Sequence, residues 1–321
     1  MVMSEILEVV VHQRRHEAEG ILCLELHPVH TDSLPAFTAG AHIDVHIPVV
    51  EMVRQYSLVN DPRETNRYVI AVQLDPESRG GSVGIHHYVQ EGQRLQISVP
   101  RNHFELVDAP DLMLIAGGIG ITPLLAMAQQ LHQQNTNFNL HYVTRSQARM
   151  AFYEVLRASP FADKVHFYFS DDPESALSVP QLLQSVSTTT HVYVCGPNSL
   201  IQAVSEQASE NQIEPERVHR EYFHNEVVLD QGAASFEVRI ASSGQCFTVE
   251  ADQTISQVLE ANGVFVPVSC EEGVCGTCLT SVLEGEINHQ DVYLTDEEKA
   301  ANNQMAVCCS RARSAYLVLD L

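Results

Sequence analysis

The chain has 321 residues, enough for two or three domains that each bury a core, and its 45% hydrophobic content is that of a globular protein. A formal net charge of −23, with Lys164 and Lys299 the only lysines, opposes binding to nucleic acid or to an anionic membrane surface. No apolar run approaches the roughly 20 residues that span a bilayer, and residues 1–10 lack a basic segment followed by an apolar core; both predict a cytoplasmic protein.

Residues 6–12, 21–27, 42–47, 54–59, 67–74 and 94–99 alternate or are rich in β-branched side chains, and glycine or proline breaks separate them. Six short strands with such turns predict a small antiparallel β-barrel. On the fourth strand, alternation puts Arg54 and Tyr56 on one face and Gln55 and Ser57 on the other. A ring and a cation on one face suit a flat, anionic, aromatic ligand, although Arg and Tyr are also common on strand surfaces. Arg79-Gly80-Gly81-Ser82 then opens an apolar-periodic helix to about Val89. Glycines that admit a ligand to the backbone, with a hydroxyl at a helix start, suit a phosphate; the same residues also make an ordinary capped turn.

Leu112–Ala116 reads as a buried strand feeding Gly117-Gly118-Ile119-Gly120-Ile121-Thr122-Pro123. Thr122 is expected as N-cap and Pro123 as first helical residue, with the helix continuing to about His132. Strands at 138–143, 165–169, 191–195 and 217–222 alternate with helices at 150–158, 179–186 and 198–209, which predicts a parallel sheet with crossover helices. The glycine turn is not G-x-G-x-x-G, yet small residues at a strand end that opens a helix still suit a pyrophosphate. Cys195-Gly196-Pro197 ends another parallel strand on the same rim, where Cys195 would face a nicotinamide or serve only as core. Thr144-Arg145-Ser146 stands where an adenosine ribose is read, with Arg145 available to adenine or phosphate. No acid directly follows Arg145, so the choice between NADH and NADPH stays open.

After a poorly patterned segment at 226–234, strands at 235–242 and 246–250 flank the turn Ser242-Ser243-Gly244. Thr254 caps an amphipathic helix ending at Gly263. Cys270, Cys275 and Cys278 follow in one glycine-containing loop, with Cys308 distant, then strand 279–283, the acidic stretch Asp296–Glu298 and a closing strand at 315–320. Four and two residues between the first three thiols, then a long gap, is the plant-type [2Fe–2S] spacing in a β-grasp module. A structural zinc site would more commonly use two Cys-x2–4-Cys pairs. Cys309 adjoins Cys308, and only one of two neighbours in extended chain can face the cluster; Cys308 is the chosen ligand. Residues 226–321 carry fifteen acidic and four basic side chains, which favours docking to a basic protein patch or simply a solvated acidic face. The sixteen histidines are scattered without ligand spacing, and His86-His87 reads as surface or core.

Together, Arg54-Gln-Tyr-Ser57, Arg79-Gly-Gly-Ser82, Gly117-Gly-Ile-Gly-Ile-Thr-Pro123, Cys195-Gly-Pro197, Cys270 to Cys278, Cys308-Cys-Ser-Arg311 and Leu317-Val-Leu-Asp-Leu321 span the chain. In these motifs it resembles the reductase components of two-component Rieske oxygenases, of the phthalate dioxygenase reductase type, including vanillate O-demethylase and carnitine monooxygenase reductases. The resemblance implies an FMN-binding barrel over 1–105, an NAD(P)-binding α/β domain over 106–226 and a ferredoxin domain over 233–321. It implies that Arg54, Tyr56 and Ser57 contact the flavin ring and ribityl chain, that Ala71 and Val72 line its pyrimidine side, and that Gly81, Ser82 and Arg79 hold the phosphate. Gly117, Gly118, Gly120, Thr144, Arg145, Cys195, Gly196 and Pro197 would hold the nicotinamide nucleotide. Thr122 would lie near the flavin's reactive edge and Phe223 would cover the ring. One departure is Ser146, where the phthalate-type member carries an acid.

The implied activity is electron transfer from NADH through FMN and the [2Fe–2S] cluster to the Rieske centre of a separate oxygenase, by a monomer in isolation. The rival readings are a stand-alone flavin reductase, an electron donor to a cytochrome P450, or a flavoprotein carrying a zinc-bound interaction module.

Overall fold

The structure, a computed structural model, describes residues 6–75, 80–225 and 234–321. The chain divides into two compact units, Met1–Phe223 and His224–Leu321.

In the first unit, β1 (Ile6–Ala18), β2 (Ile21–Pro28), β3 (His42–Ile47), β4 (Met52–Ser57), β5 (Tyr68–Gln73) and β6 (Arg94–Ser98) form one antiparallel sheet, with helix α1 (Gly81–Tyr88) before β6. The order is β4-β3-β6-β1-β2-β5, and a bridge between Leu58 and Ile70 joins its two edges, so the sheet curls into a barrel. Leu22, Leu24, Ile43, Val45, Ile70 and Ile97, alternate residues of their strands, fill the interior. β1 runs six residues beyond the expected 6–12. It can do so because it pairs with both β6 and β2, and bulges after Val11 and His16 absorb the added twist.

The same unit continues with β7 (Asp111–Gly117), α2 (Ile121–Gln134), β8 (Asn137–Thr144), α3 (Tyr153–Arg157), β9 (Val165–Phe169), α4 (Val179–Leu183), β10 (Thr190–Cys195), α5 (Asn198–Glu210) and β11 (Val218–Glu221). These strands form a parallel sheet in the order β11-β10-β7-β8-β9. The chain winds outward from β7 to β9 and then returns to β10, so the topological switch lies between β7 and β10. Ligand crevices open at such a switch, beyond the carboxyl ends of the strands. One apolar core joins barrel and sheet: Cys23, Val59, Val69 and Ala71 pack with Leu114, Ile121, Leu124 and Met127. Tyr193 fastens the connecting segment, its hydroxyl donating to the Glu105 carbonyl (2.9 Å) and accepting from the Val107 N–H (2.8 Å).

The second unit contains β12 (Phe236–Ile240), β13 (Cys246–Val249), α6 (Ile255–Ala261), β14 (Leu279–Glu284), β15 (Ile287–Asn288), α7 (Asp296–Ala301), β16 (Gln304–Ala306), β17 (Arg311–Ala312) and β18 (Tyr316–Leu319). Its main sheet, β13-β12-β18-β14-β16, places the closing strand parallel to the opening one, with α6 packed on the same core. This is the expected β-grasp arrangement. Gly244 takes φ 70° in the β12–β13 turn, and Thr254 makes a capping box with Gln257. The acidic stretch Asp296–Glu298 is the first turn of α7, where carboxylates favour the positive helix end and Thr295 caps reciprocally with Glu298.

Candidate functional site

Three clusters of candidate residues take shape. On the barrel, β4 pairs with β3 so that Arg54 opposes Val45 and Tyr56 opposes Ile43. Arg54 and Tyr56 therefore share a face, as alternation predicts. Gln55 lies on the other, where its amide donates to Asp44 (3.1 Å) beside Arg101. The start of α1 meets this strand closely: a Cβ on Gly81 would stand 2.7 Å from Arg54 Cγ and 2.9 Å from Nε. Only a residue without a side chain leaves that room. Gly80 takes φ 114° at the N-cap of the helix, a left-handed conformation that favours glycine, and Ser82 Oγ accepts from the Asp75 N–H (3.1 Å). Helix α1 is tied to β5 where the His86 ring bonds the Val72 carbonyl (2.9 Å), so Ala71, Val72, Gly81 and Ser82 belong to one framework with Arg54, Tyr56 and the buried Ser57. A cation, an aromatic ring and the N-terminal end of a helix around a glycine gap fit an anionic flavin nucleotide. Arg79 lies outside the described residues.

On the parallel sheet, the turns after β7 and β10 touch backbone to backbone. A Cβ on Gly120 would collide with the Cys195 carbonyl, one on Gly196 would stand 2.8 Å from Gly117 Cα, and one on Gly117 would stand 2.7 Å from Pro197. Small residues here let two helix N-termini, those of α2 and α5, converge at the switch point, which fits a pyrophosphate. Gly118 turns at φ 53°. Thr122 corrects one expectation: Gly120 occupies the N-cap, the helix begins at Ile121, and Pro123 is its third residue. Thr122 is 2% exposed and its hydroxyl donates to the Ile119 carbonyl (3.0 Å), because the short 3-10 turn over Gly118–Gly120 has already set the helical direction. Across the rim, Thr144 Oγ1 donates to the Ser146 carbonyl (2.9 Å) and leaves Arg145 exposed.

Cys195 is fully buried, and its thiol lies 3.9 Å from Glu221 Oε2. Burial, reinforced by the carboxylate, pushes the thiol well up; burial also holds the Glu221 carboxyl up to about 8. Glu221 was not singled out in the sequence. Its only signal is an acid ending the last strand, two residues before Phe223, and nothing in that pattern reveals the Cys195 contact. Phe223 is 37% exposed, an aromatic ring free to cover a planar ligand.

In the second unit, Cys270, Cys275, Cys278 and Cys308 converge, with thiol contacts from Cys270 to Cys275 and Cys308 and from Cys278 to Cys308. The Glu272 N–H donates to Cys270 Sγ (3.4 Å), as backbone amides do around thiolate clusters. Gly273 and Gly276 turn at φ 72° and 70°, and a Cβ on Gly273 would press on Cys309 Sγ at 2.5 Å. Cys309 points into the core, donating to the Ala306 carbonyl (3.7 Å), which leaves Cys308 to the loop.

Residues 238–313 match the model of the 2Fe-2S iron-sulfur cluster binding domain, and residues 102–218 that of the dimethylamine monooxygenase subunit DmmA-like N-terminal domain. The chain is 48% identical to a vanillate O-demethylase oxidoreductase from a Pseudomonas species, covering 98% of this chain and all of that one. Among solved structures it is similar to phthalate dioxygenase reductase, described as modular for electron transfer from pyridine nucleotides to [2Fe–2S] (38% identity, TM-score 0.76, 98% of both chains). It is also similar to part of an intact type IV self-sufficient cytochrome P450 monooxygenase (38% identity, TM-score 0.86, 98% of this chain and 41% of that one).

Proposed function

The chain belongs to the oxidoreductase family of vanillate O-demethylase oxidoreductase and phthalate dioxygenase reductase, the reductase components of oxygenase systems, and from that premise we propose a residue-level path for its electrons. Its cofactors are FMN, a [2Fe–2S] cluster and NADH. The flavin supplies the conversion between the electron pair of a nicotinamide hydride and the single electrons an iron–sulfur cluster takes.

The protein's own residues bind and orient. Residues 1–105 hold FMN, with Arg54, Tyr56 and Ser57 along the ring and ribityl chain, Ala71 and Val72 at the pyrimidine side, and Gly81, Ser82 and Arg79 at the phosphate. Residues 106–226 hold NADH: Gly117, Gly118 and Gly120 admit the pyrophosphate, Thr144 and Arg145 take the adenosine half, and Cys195, Gly196 and Pro197 floor the nicotinamide. Thr122 stiffens the start of α2, and Phe223 shields the flavin until nicotinamide arrives. Residues 233–321 carry the cluster on Cys270, Cys275, Cys278 and Cys308. The acceptor is the Rieske centre of a separate oxygenase, met by a cytoplasmic monomer.

The observation that carries this reading is the convergence of four thiols at the plant-type spacing, in a segment that matches the 2Fe-2S cluster binding domain. Anaerobic titration with NADH, followed by absorbance and electron paramagnetic resonance, should bleach the flavin and then raise a reduced-iron signal. Bleaching that never yields such a signal would remove the path. A second reading, donation to a cytochrome P450, is favoured by the 0.86 match to a P450-fused chain. Turnover against a panel of purified Rieske oxygenases and P450s separates the two.

A further inference from the structure

We propose that His12, Glu25 and His27, on the outer face of the barrel's first hairpin, form a binding site for a divalent transition-metal ion, separate from the iron–sulfur centre. One donor atom from each lies within 4.8 Å of the others. The local fold explains how residues so far apart in sequence meet. Glu25 and His27 are alternate residues of β2 and share a face. On β1, Val10 pairs with His27 and Gln13 with Glu25, and the register slips between Val11 and Gln13. That bulge sets His12 opposite Glu25 as the extra residue, and its ring stacks on His27 with centroids 4.2 Å apart.

The carboxylate is already oriented. Glu25 is 8% exposed; Oε2 accepts from Arg67 Nη1 (2.6 Å), and Arg67 Nε in turn donates to Glu64 (2.9 Å). The other oxygen, Oε1, is 2.7 Å from His27 Nε2. Ligating carboxylates are held in the same way by outer hydrogen-bond partners. An ion would take the place of the proton between His27 Nε2 and Glu25 Oε1, with His12 as third ligand and water in the open positions. Two imidazoles and a carboxylate select zinc, nickel or copper over magnesium or calcium.

Calorimetric titration of the holoprotein with Zn2+, with the cluster's visible bands monitored throughout, tests the site. Wild type should take up one equivalent without loss of those bands. His12→Ala, an exposed position that should fold normally, should weaken binding about tenfold or more, and Arg67→Gln should weaken it less. His30→Ala, which removes another exposed imidazole beside a carboxylate, Glu8, should leave the titration unchanged. Equal binding by His12→Ala and wild type, or equal loss in His30→Ala, would overturn the proposal, as would uptake that occurs only as the cluster bands fade.

Discussion

Cys195 and Glu221 end adjacent parallel strands in register, and the thiol meets the carboxylate at 3.9 Å. Burial pushes the titration of both groups upward, one step behind the rim where β7 and β10 open.

A pH dependence follows from Glu221. Its native carboxyl titrates near 8 against an ordinary value of 4.5, so between these values the folded state binds more protons than the unfolded one. Stability therefore falls as pH rises through that window, and the loss is complete above the native value. Glu221→Gln should flatten this slope. Urea midpoints of wild type and variant at about pH 5 and about pH 9 check it, and parallel lines would mean that Glu221 titrates normally.

Cys275→Ser should abolish the cluster's visible bands and cytochrome c reduction while NADH still bleaches the flavin. Cys309→Ser should keep the cluster, because that thiol bonds the Ala306 carbonyl behind the loop. Loss of the cluster in both variants would reverse the choice between the adjacent cysteines.

Gly120→Ala puts a methyl group into the Cys195 carbonyl. The two turns must separate, at a cost of about 1–3 kcal/mol in stability, and KM for NADH should rise. Thermal unfolding and steady-state kinetics together read this, and an unchanged KM would place the pyrophosphate elsewhere.

Arg311 is 4% exposed and donates to the carbonyls of Gln253 (2.7 Å) and Glu250 (3.1 Å) while lying over the Phe236 ring. Arg311→Met strands those carbonyls and should cost the second unit about 3 kcal/mol, seen as an earlier loss of cluster absorbance on heating. The flavin's own release temperature should stay unchanged.

The acidic second unit bears on the acceptor. Raising salt should slow turnover with the oxygenase more than with ferricyanide, because screening acts on complementary charged surfaces. Equal insensitivity of both reactions would leave the acidic face a solvated surface only.

Much of this protein was legible in one dimension because its signals are local. Four cysteines at ligand spacing, strands alternating with helices, and Thr254 three residues before Gln257 each report short-range chemistry, and the structure carries those elements. The Thr295–Glu298 capping box is equally local, and the acidic stretch Asp296–Glu298 is the first turn of the helix that it opens. Thr122 before Pro123 imitates a cap, and only the three-dimensional path shows the helix already begun at Ile121.

What the linear order could not decide is which strand ends become neighbours. The placement of β10 beside β7, which presses Gly196 against Gly117 and Cys195 against Glu221, is a choice among topologies that the same alternation of strands and helices permits. Likewise His12 reaches Glu25 and His27 only through a one-residue slip in a hairpin. Spacing records ligands that one loop brings together; contacts between strands depend on register and sheet order, which packing settles across the whole domain.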